Sequence, residues 1–138
     1  MSILFTRLEE LSTQLNASSD ALSEAIKRVE AKLASLRLGV SVWLEEPIDT
    51  TSFEGERVNT FLGYTKVNNK WCLALRDNAN EIIGNPEDEA RILPLQQASR
   101  EIRVKALLYI TDLIKALEAA AEVELETVRN VTDIIKTV

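Results

Sequence analysis

Apolar side chains recur at helical spacing in two long segments of the chain, and these flank a segment in which apolar and other positions alternate. The first long segment, residues 3–37, advances in steps of four and three residues, with one four-residue stutter. Its apolar positions are Leu4, Leu8, Leu11, Leu15, Leu22, Ile26, Val29, Leu33 and Leu36. Such a repeat predicts a helix that packs along its length against other helices.

The first helix is predicted to span residues 1–38, with Ser2 as its N-terminal cap and Gly39 as its stop. The polar run at residues 16–20 contains several residues that favour helix caps. A break at that run is therefore an open alternative, although the apolar repeat keeps its phase through Ser18.

Residues 39–84 are predicted to form a small antiparallel sheet. The apolar residues Val40, Val42 and Leu44 recur with period two, which is typical of a strand. Residues 48–56 are predicted to be a polar loop, and residues 81–83 are a candidate fourth strand.

A hairpin with strands at residues 61–67 and 70–76 is the clearest local prediction. Asn tolerates positive φ, so the two-residue link Asn68-Asn69 favours a type I′ turn. The resulting register pairs Leu62 with Leu75, Tyr64 with Leu73, and Lys66 with Trp71. It places the larger apolar side chains on one face of the sheet, as pairing across strands requires.

After the sheet, residues 85–94 are predicted to form a short helix and a break. Asn85 can cap this helix, Pro86 suits its first position, and Pro94 interrupts it. Residues 95–138 are predicted to form the second long helix. Its apolar stripe is wider than one seam and so predicts burial against more than one neighbour, for which a second copy of the chain is the simplest candidate.

These elements predict a single α+β domain over residues 1–138. Two long antiparallel helices bracket an antiparallel sheet of three or four strands, and a helix bundle formed with a second copy makes a homodimer. The net charge of −6 is concentrated in residues 39–94, which carry five basic and ten acidic groups. That excess disfavours a nucleic-acid partner because phosphates would be repelled.

The cellular location of the protein is predicted from features that the sequence lacks. No apolar run approaches the roughly 20 residues that a membrane-spanning helix needs, and the first residues do not resemble a signal peptide. A single cysteine cannot form an internal disulfide. The sequence therefore predicts a cytoplasmic protein that does not enter a membrane.

The residue types offer little for catalysis. The chain has no histidine, which is the commonest general base and a frequent metal ligand. Cys72 lies in the middle of a predicted strand, where a buried structural role is usual. Glu118, Glu122 and Glu126 share a helix face, and a solvated acidic face is the simpler interpretation. No catalytic residue, cofactor or metal site is predicted.

Two surfaces are candidates for binding a partner. Arg100 and Arg103, with Lys105 beside them, lie where a helix N-terminus disfavours cations. We call these three cations the basic corner. Acidic side chains of residues 39–94 could neutralise its charge, or an anionic ligand or partner could dock there. Examples of such acidic residues are Glu45, Glu46 and Glu56.

The second candidate is the outer face of the sheet. Its predicted members are Trp43, Phe61, Val67, Cys72 and Ala74. An exposed apolar face of this kind often marks an interaction site, but a helix or the segment 48–56 could also cover it.

Together these features predict a non-catalytic interaction or assembly module, acting as a homo-oligomeric scaffold or as an adaptor for a protein partner. An acidic chaperone-like binder that uses the sheet face is the first alternative. A small-molecule enzyme is the second.

Overall fold

The computed structural model describes residues 3–78 and 92–138, and in it helices flank an antiparallel sheet. Helix α1 spans Ile3–Leu36, and helices α2 and α3 span Arg100–Leu108 and Ile110–Lys136. The strands are β1 (Val42–Trp43), β2 (Asp49–Phe53), β3 (Glu56–Val67), β4 (Lys70–Asp77) and β5 (Ile92–Pro94). The α+β class and the order of helix, sheet and helices are confirmed.

Helix α1 is continuous through residues 16–20, so the alternative of a break there is wrong. The helix ends at Leu36 because Arg37 adopts a left-handed conformation with φ of 51°. Gly39 follows with φ of 66°, a value that suits glycine. The chain can therefore turn from the helix into β1 within a few residues.

The predicted hairpin is confirmed in both turn and register. Asn68 and Asn69 have φ of 51° and 64°, as a type I′ turn requires. The pairs Leu62–Leu75, Tyr64–Leu73 and Lys66–Trp71 are all present between β3 and β4.

The predicted loop at residues 48–56 is wrong, and the sheet has five strands among the described residues, rather than three or four. Strand β2 pairs with the first part of β3 through a turn at Glu54-Gly55, where both residues have positive φ. The side chains of Thr50 and Asn59 form a hydrogen bond of 2.9 Å across this pair. Cross-strand polar contacts of this kind stabilise a strand that lacks an apolar face.

The second long helix begins later than predicted. Pro94 ends β5, a 3-10 turn follows at Leu95–Gln97, and α2 begins only at Arg100. The side chain of Ser99 caps α2 by accepting a hydrogen bond of 3.3 Å from the backbone N–H of Ile102. Tyr109, with φ of −100° and ψ of 6°, separates α2 from α3.

Two other predictions concern the segment between β4 and β5. The candidate strand at 81–83 and nearly all of the predicted short helix, residues 86–92, lie outside the described residues. Residues 92–94 belong to β5, which pairs with β4, so Ile92 is in a strand and not in that helix.

Strands β1 and β2 form one interrupted edge along the same side of β3. Trp43 pairs with Gly63, and Asp49 pairs with Thr60. Between these two pairs the edge has five residues, whereas β3 has only two. The three extra residues form a bulge, and we call Glu45–Pro47 the acidic bulge. A bulge bends its strand and redirects the side chains around it.

The core lies between the inner face of the sheet and the helices. The four side chains predicted to face inward are all buried: Leu62, Tyr64, Leu73 and Leu75. They pack with Ile26 and Leu33 of α1 and with Leu113 and Leu117 of α3. Helix α1 lies mainly against β4 and α2, whereas α3 lies mainly against β1, β3 and α2.

Both long helices extend beyond this core. Residues 3–18 of α1 and the whole of residues 122–138 at the end of α3 are exposed. We call these segments the α1 arm and the α3 arm. At 1.5 Å per residue each is about 25 Å long. None of the helices in the described part of the chain is long and apolar enough to cross a membrane.

Candidate functional site

The α1 arm carries an exposed seam of leucines. Leu4, Leu8, Leu11 and Leu15 recur at steps of four and three, so they share one helix face. The side chain of Leu8 is 60% exposed, which shows how little of the seam is covered within one chain. Arg100 lies beside the base of this seam and lines a shallow depression with Leu8, Leu11 and Leu15.

The α3 arm separates apolar and charged residues onto opposite faces. The apolar face, which begins just before the arm at Ala121, comprises Ala121, Leu125, Val128, Val131, Ile135 and Val138. The charged face continues a row that starts at Glu118 and comprises Glu118, Glu122, Glu126, Arg129, Asp133 and Lys136. Two residues are exceptions: the spacing of Glu124 places it on the apolar face, and that of Val123 places it beside Glu126 on the charged face. Val128 and Ile135 are 51% and 67% exposed, so residues 3–78 and 92–138 leave the apolar face uncovered.

The structure divides the predicted basic corner into two different environments. Arg100 is exposed at the start of α2. Arg103 is half-buried, and its guanidinium donates hydrogen bonds of 2.6 Å to Ser23 Oγ and 3.2 Å to Ser19 Oγ on α1. Its Nε is buried and has no hydrogen-bond partner among the described residues. Arg103 therefore joins α2 to α1.

The predicted compensation by the acidic segment 39–94 occurs at Lys105, although the residue is Asp49 rather than one of the three examples. Lys105 Nζ lies 2.6 Å from Asp49 Oδ1 on β2 and 3.7 Å from Glu101 Oε1 on its own helix. The hydrogen bond to Asp49 is the main cause that raises the pKa of Lys105. Hydroxyl groups rather than carboxylates hold Arg103, so the compensation by Glu45, Glu46 or Glu56 does not occur there.

Trp43 covers part of the outer sheet face. Its ring lies so close to Gly63 that a Cβ atom at this position would clash with the ring carbons. On the next strand, the guanidinium of Arg76 lies 4.8 Å from the centroid of the Trp43 ring, within the range of a cation–π contact. Trp43 is thus fixed in place by Gly63 and Arg76.

The other predicted members of the outer face are covered to different degrees. Cys72 and Ala74 are buried, whereas Phe61 and Val67 are half-buried. Phe61 pairs with Arg76, and Val67 lies next to the Asn68-Asn69 turn. Six residues along one strand separate Phe61 from Val67, a distance of about 20 Å. The sheet residues and the two arginines therefore do not form one site.

A groove that was not predicted lies between the acidic bulge and α3. Its volume is about 550 Å³. The apolar part of its lining comprises Val42, Trp43, Leu44, Ala116 and Ala119. The polar part comprises Glu45, Glu46, Tyr109 and Asp112. None of these lining residues is basic, so the groove combines apolar surface with negative charge.

A cluster around Glu30 joins α1 to β4. The Glu30 carboxylate accepts a hydrogen bond of 2.8 Å from the backbone N–H of Leu73. Burial raises the pKa of Glu30, although this hydrogen bond and the charge of Lys70 oppose the rise. Burial, and then the nearby Glu30 carboxylate, raise the pKa of the Cys72 thiol. A thiol with a raised pKa is a poor nucleophile at neutral pH.

Sequence patterns could have revealed some of these features. A glycine inside a strand indicates close approach by another group, as Trp43 makes to Gly63. Nothing local links Glu45 and Glu46 to Asp112, because the groove exists only once α3 has packed beside β1. Among the described residues, no group of three or more carboxylates or thiols could hold a metal ion.

The chain shows no match to any protein-family model, to any curated protein or to any solved structure. The following proposals therefore rest on the geometry and charge of the chain itself.

Proposed function

We propose that this protein is a non-catalytic assembly module whose helical arms associate with a second copy of the chain, so that the dimer acts as a scaffold or adaptor. The observation that carries the proposal is the exposed apolar face of the α3 arm. The leucine seam of the α1 arm supports it.

The distribution of charge supports a second copy as the partner. The α3 arm has four acidic and two basic residues, so contact between two such arms would bring repulsion if these charges met. All of them except Glu124 lie on the face opposite the apolar one. Two copies can therefore pack their apolar faces together while nearly all the like charges stay in solvent.

The width of the apolar face supports a bundle rather than a two-stranded contact. Leu125 and Ile134 flank the face at positions where a two-stranded coiled coil usually carries charged residues. Their exposure, 47% and 63%, leaves surface for more than one neighbouring helix. The α1 arm of either copy could supply that additional helix.

The two alternatives have less support. A chaperone-like binder would need open apolar surface on the sheet, and Trp43 and Arg76 cover part of that face. An enzyme that used Cys72 as a nucleophile would need a thiol of lowered pKa, and here the pKa of the thiol is raised.

Size-exclusion chromatography with light scattering tests the proposal. We expect the wild-type chain to have about twice its mass of 15.4 kDa at micromolar concentration. The double variant Val128→Gln, Val131→Gln should have the mass of one chain, because it makes the centre of the α3 face polar. Both side chains are at least half exposed, so the fold of the single chain should persist.

The matched control is Arg129→Gln with Asp133→Gln. It also introduces two glutamines into the same helix and leaves the net charge at −6, but it alters the opposite face. This variant should keep the dimer mass. A wild-type monomer, or a loss of mass with the control equal to that with the test variant, would contradict the proposal.

A further inference from the structure

We propose that the groove between the acidic bulge and α3 binds a basic, extended peptide segment of a protein partner. This inference concerns a surface separate from the helical arms and goes beyond the assembly function. It rests on three features of the groove: its charge, its apolar lining and the edge of β1, which pairs with β3 on one side and with no other described strand.

Charge complementarity defines the first property of the ligand. Glu45, Glu46 and Asp112 bring three carboxylates to one groove, and none of its described lining residues is basic. Glu45 and Glu46 are exposed within the bulge. Lysine or arginine side chains are the groups that such a rim would attract, and an acidic segment would be repelled.

The apolar lining defines the second property. Trp43 and Leu44 line the groove from the sheet, and Ala116 and Ala119 line it from α3. The alanines leave room between the helix and the strand, and Gly63 and Arg76 hold the Trp43 ring in position. A short apolar side chain of the ligand can therefore be buried beside its cationic ones.

The backbone of β1 defines the third property. The N–H of Leu44 donates a hydrogen bond of 2.9 Å to the carbonyl of Leu62 on β3. Because alternate residues of an antiparallel strand direct their backbone groups to opposite sides, the N–H and C=O of Trp43 point away from β3. They can pair with the backbone of an added extended segment, whose side chains then alternate between the groove and solvent.

The acidic bulge places the charge of the groove next to its apolar lining and to the edge of β1. Its three extra residues interrupt the pairing of the edge with β3, and they bring Glu45 and Glu46 to the groove beside β1. Without the bulge, the edge would continue as a regular strand from β1 into β2. The bulge therefore limits an added segment to a few residues beside Trp43.

Isothermal titration calorimetry on the full chain tests the inference with a blocked peptide of alternating lysine and valine. The control probes are a blocked peptide of alternating glutamate and valine, and lysine amide alone. We expect the lysine–valine peptide to bind and its affinity to fall as ionic strength rises from about 0.02 to about 0.5 M. We expect neither control probe to bind measurably. Binding of the glutamate peptide, or equal binding of lysine amide, would overturn the inference.

Matched charge variants locate the site. The triple variant Glu45→Gln, Glu46→Gln, Asp112→Asn should weaken binding by roughly eightfold to about a hundredfold, because exposed ion pairs each contribute a factor of roughly two to five. The control Glu54→Gln, Glu56→Gln, Glu126→Gln removes the same amount of charge away from the groove. An equal loss with this control would mean that the peptide binds by net charge alone, which overturns the site.

A steric variant makes the test independent of charge. Ala119→Phe fills the groove from an exposed position on α3, and Ala31→Phe makes the same change at an exposed position on α1. We expect the first to abolish peptide binding and the second to leave it unchanged. If Ala119→Phe or the charge triple variant instead alters the mass of the protein in light scattering, a second copy occupies the groove and the inference is wrong.

Discussion

The carboxylate of Glu30 on α1 accepts a hydrogen bond from the backbone N–H of Leu73 on β4, over a distance of 2.8 Å. Strand β5 reaches only as far as Pro94, which pairs with Ala74, so on the side away from β3 this part of β4 has no strand partner among the described residues. A side chain of the helix thus satisfies a backbone donor that the sheet does not. The contact fixes α1 against the edge of β4.

Replacing Glu30 should reveal the cost of leaving that donor unpaired. Glu30→Ala should lower the free energy of unfolding by about 1–3 kcal/mol, because the buried N–H of Leu73 loses its acceptor. Glu30→Gln keeps an oxygen acceptor and should cost much less. Denaturant unfolding measures both, and equal losses in the two variants would contradict this role for the hydrogen bond.

The raised pKa of Glu30 also predicts a pH dependence. Because the folded state raises the pKa above its ordinary value of 4.5, the folded protein binds this proton more tightly than the unfolded chain does. The stability contributed by protonated Glu30 is therefore full below pH 4.5 and is lost as the pH rises through the folded value.

Glu30→Gln serves as the reference for that measurement, since it removes this titration and leaves the other carboxylates in place. The unfolding free energy of the wild type minus that of Glu30→Gln should increase as the pH is lowered through this range. A difference that decreases on acidification would show that the hydrogen bond from Leu73, rather than burial, dominates the pKa.

The two faces of the hairpin should differ in their tolerance of substitution. Leu73 is fully buried against the helices, so Leu73→Ala should lower the unfolding free energy by about 2–5 kcal/mol. Thr65 lies on the opposite face, where its hydroxyl contacts that of Ser41 at 2.9 Å. Thr65→Ala should cost less than about 1 kcal/mol in the same denaturation experiment. Similar losses would mean that both faces are equally buried.

Gly63 should not accept a side chain while Trp43 lies against it. Gly63→Ala should cost about 1–3 kcal/mol of unfolding free energy, because the added methyl group must displace the ring and also crowds the backbone carbonyl oxygen of Val42. The cost should fall in a Trp43→Leu background, where the ring is absent. A double-mutant cycle measures this coupling, and additive effects would show that the Trp43 ring is not the obstacle.

The two arginines at the start of α2 should contribute differently to stability. Arg103→Ala removes two hydrogen bonds to α1 and should lower the unfolding free energy by about 1–3 kcal/mol. Arg100→Ala changes an exposed residue and should stay within about 0.5 kcal/mol of the wild type. Thermal unfolding distinguishes the two, and an equal loss of melting temperature would contradict the assignment of Arg103 as the joint between helices.

The sequence predicted those parts of the fold that depend on local chemistry. The positive φ values of Asn68 and Asn69 and the matching apolar positions around them determine the hairpin within a short stretch. Strand β2 was missed because Thr50, Thr51 and Ser52 give no apolar period and its stability comes from pairing with β3. The late start of α2 was missed because the apolar residues from Leu95 onwards obscured the cap at Ser99.

Some candidate sites could likewise be predicted from local sequence patterns, and others could not. The exposed apolar faces of the arms follow directly from the helical repeat, whereas the groove depends on contacts between distant parts of the chain. Glu45 and Asp112 are separated by more than sixty residues and meet only through the packing of α3 on β1. The role of Arg103 likewise depends on Ser19 and Ser23, which the sequence places far from it.

The bulge at Glu45–Pro47 also bears on aggregation. An exposed sheet edge is a template on which strands of other molecules can pair and grow into fibrils. Here the edge formed by β1 and β2 is divided into two short pieces, and the division contains two carboxylates and a proline that has no backbone N–H to donate. Growth of a continuous intermolecular sheet along this edge is therefore blocked at the bulge.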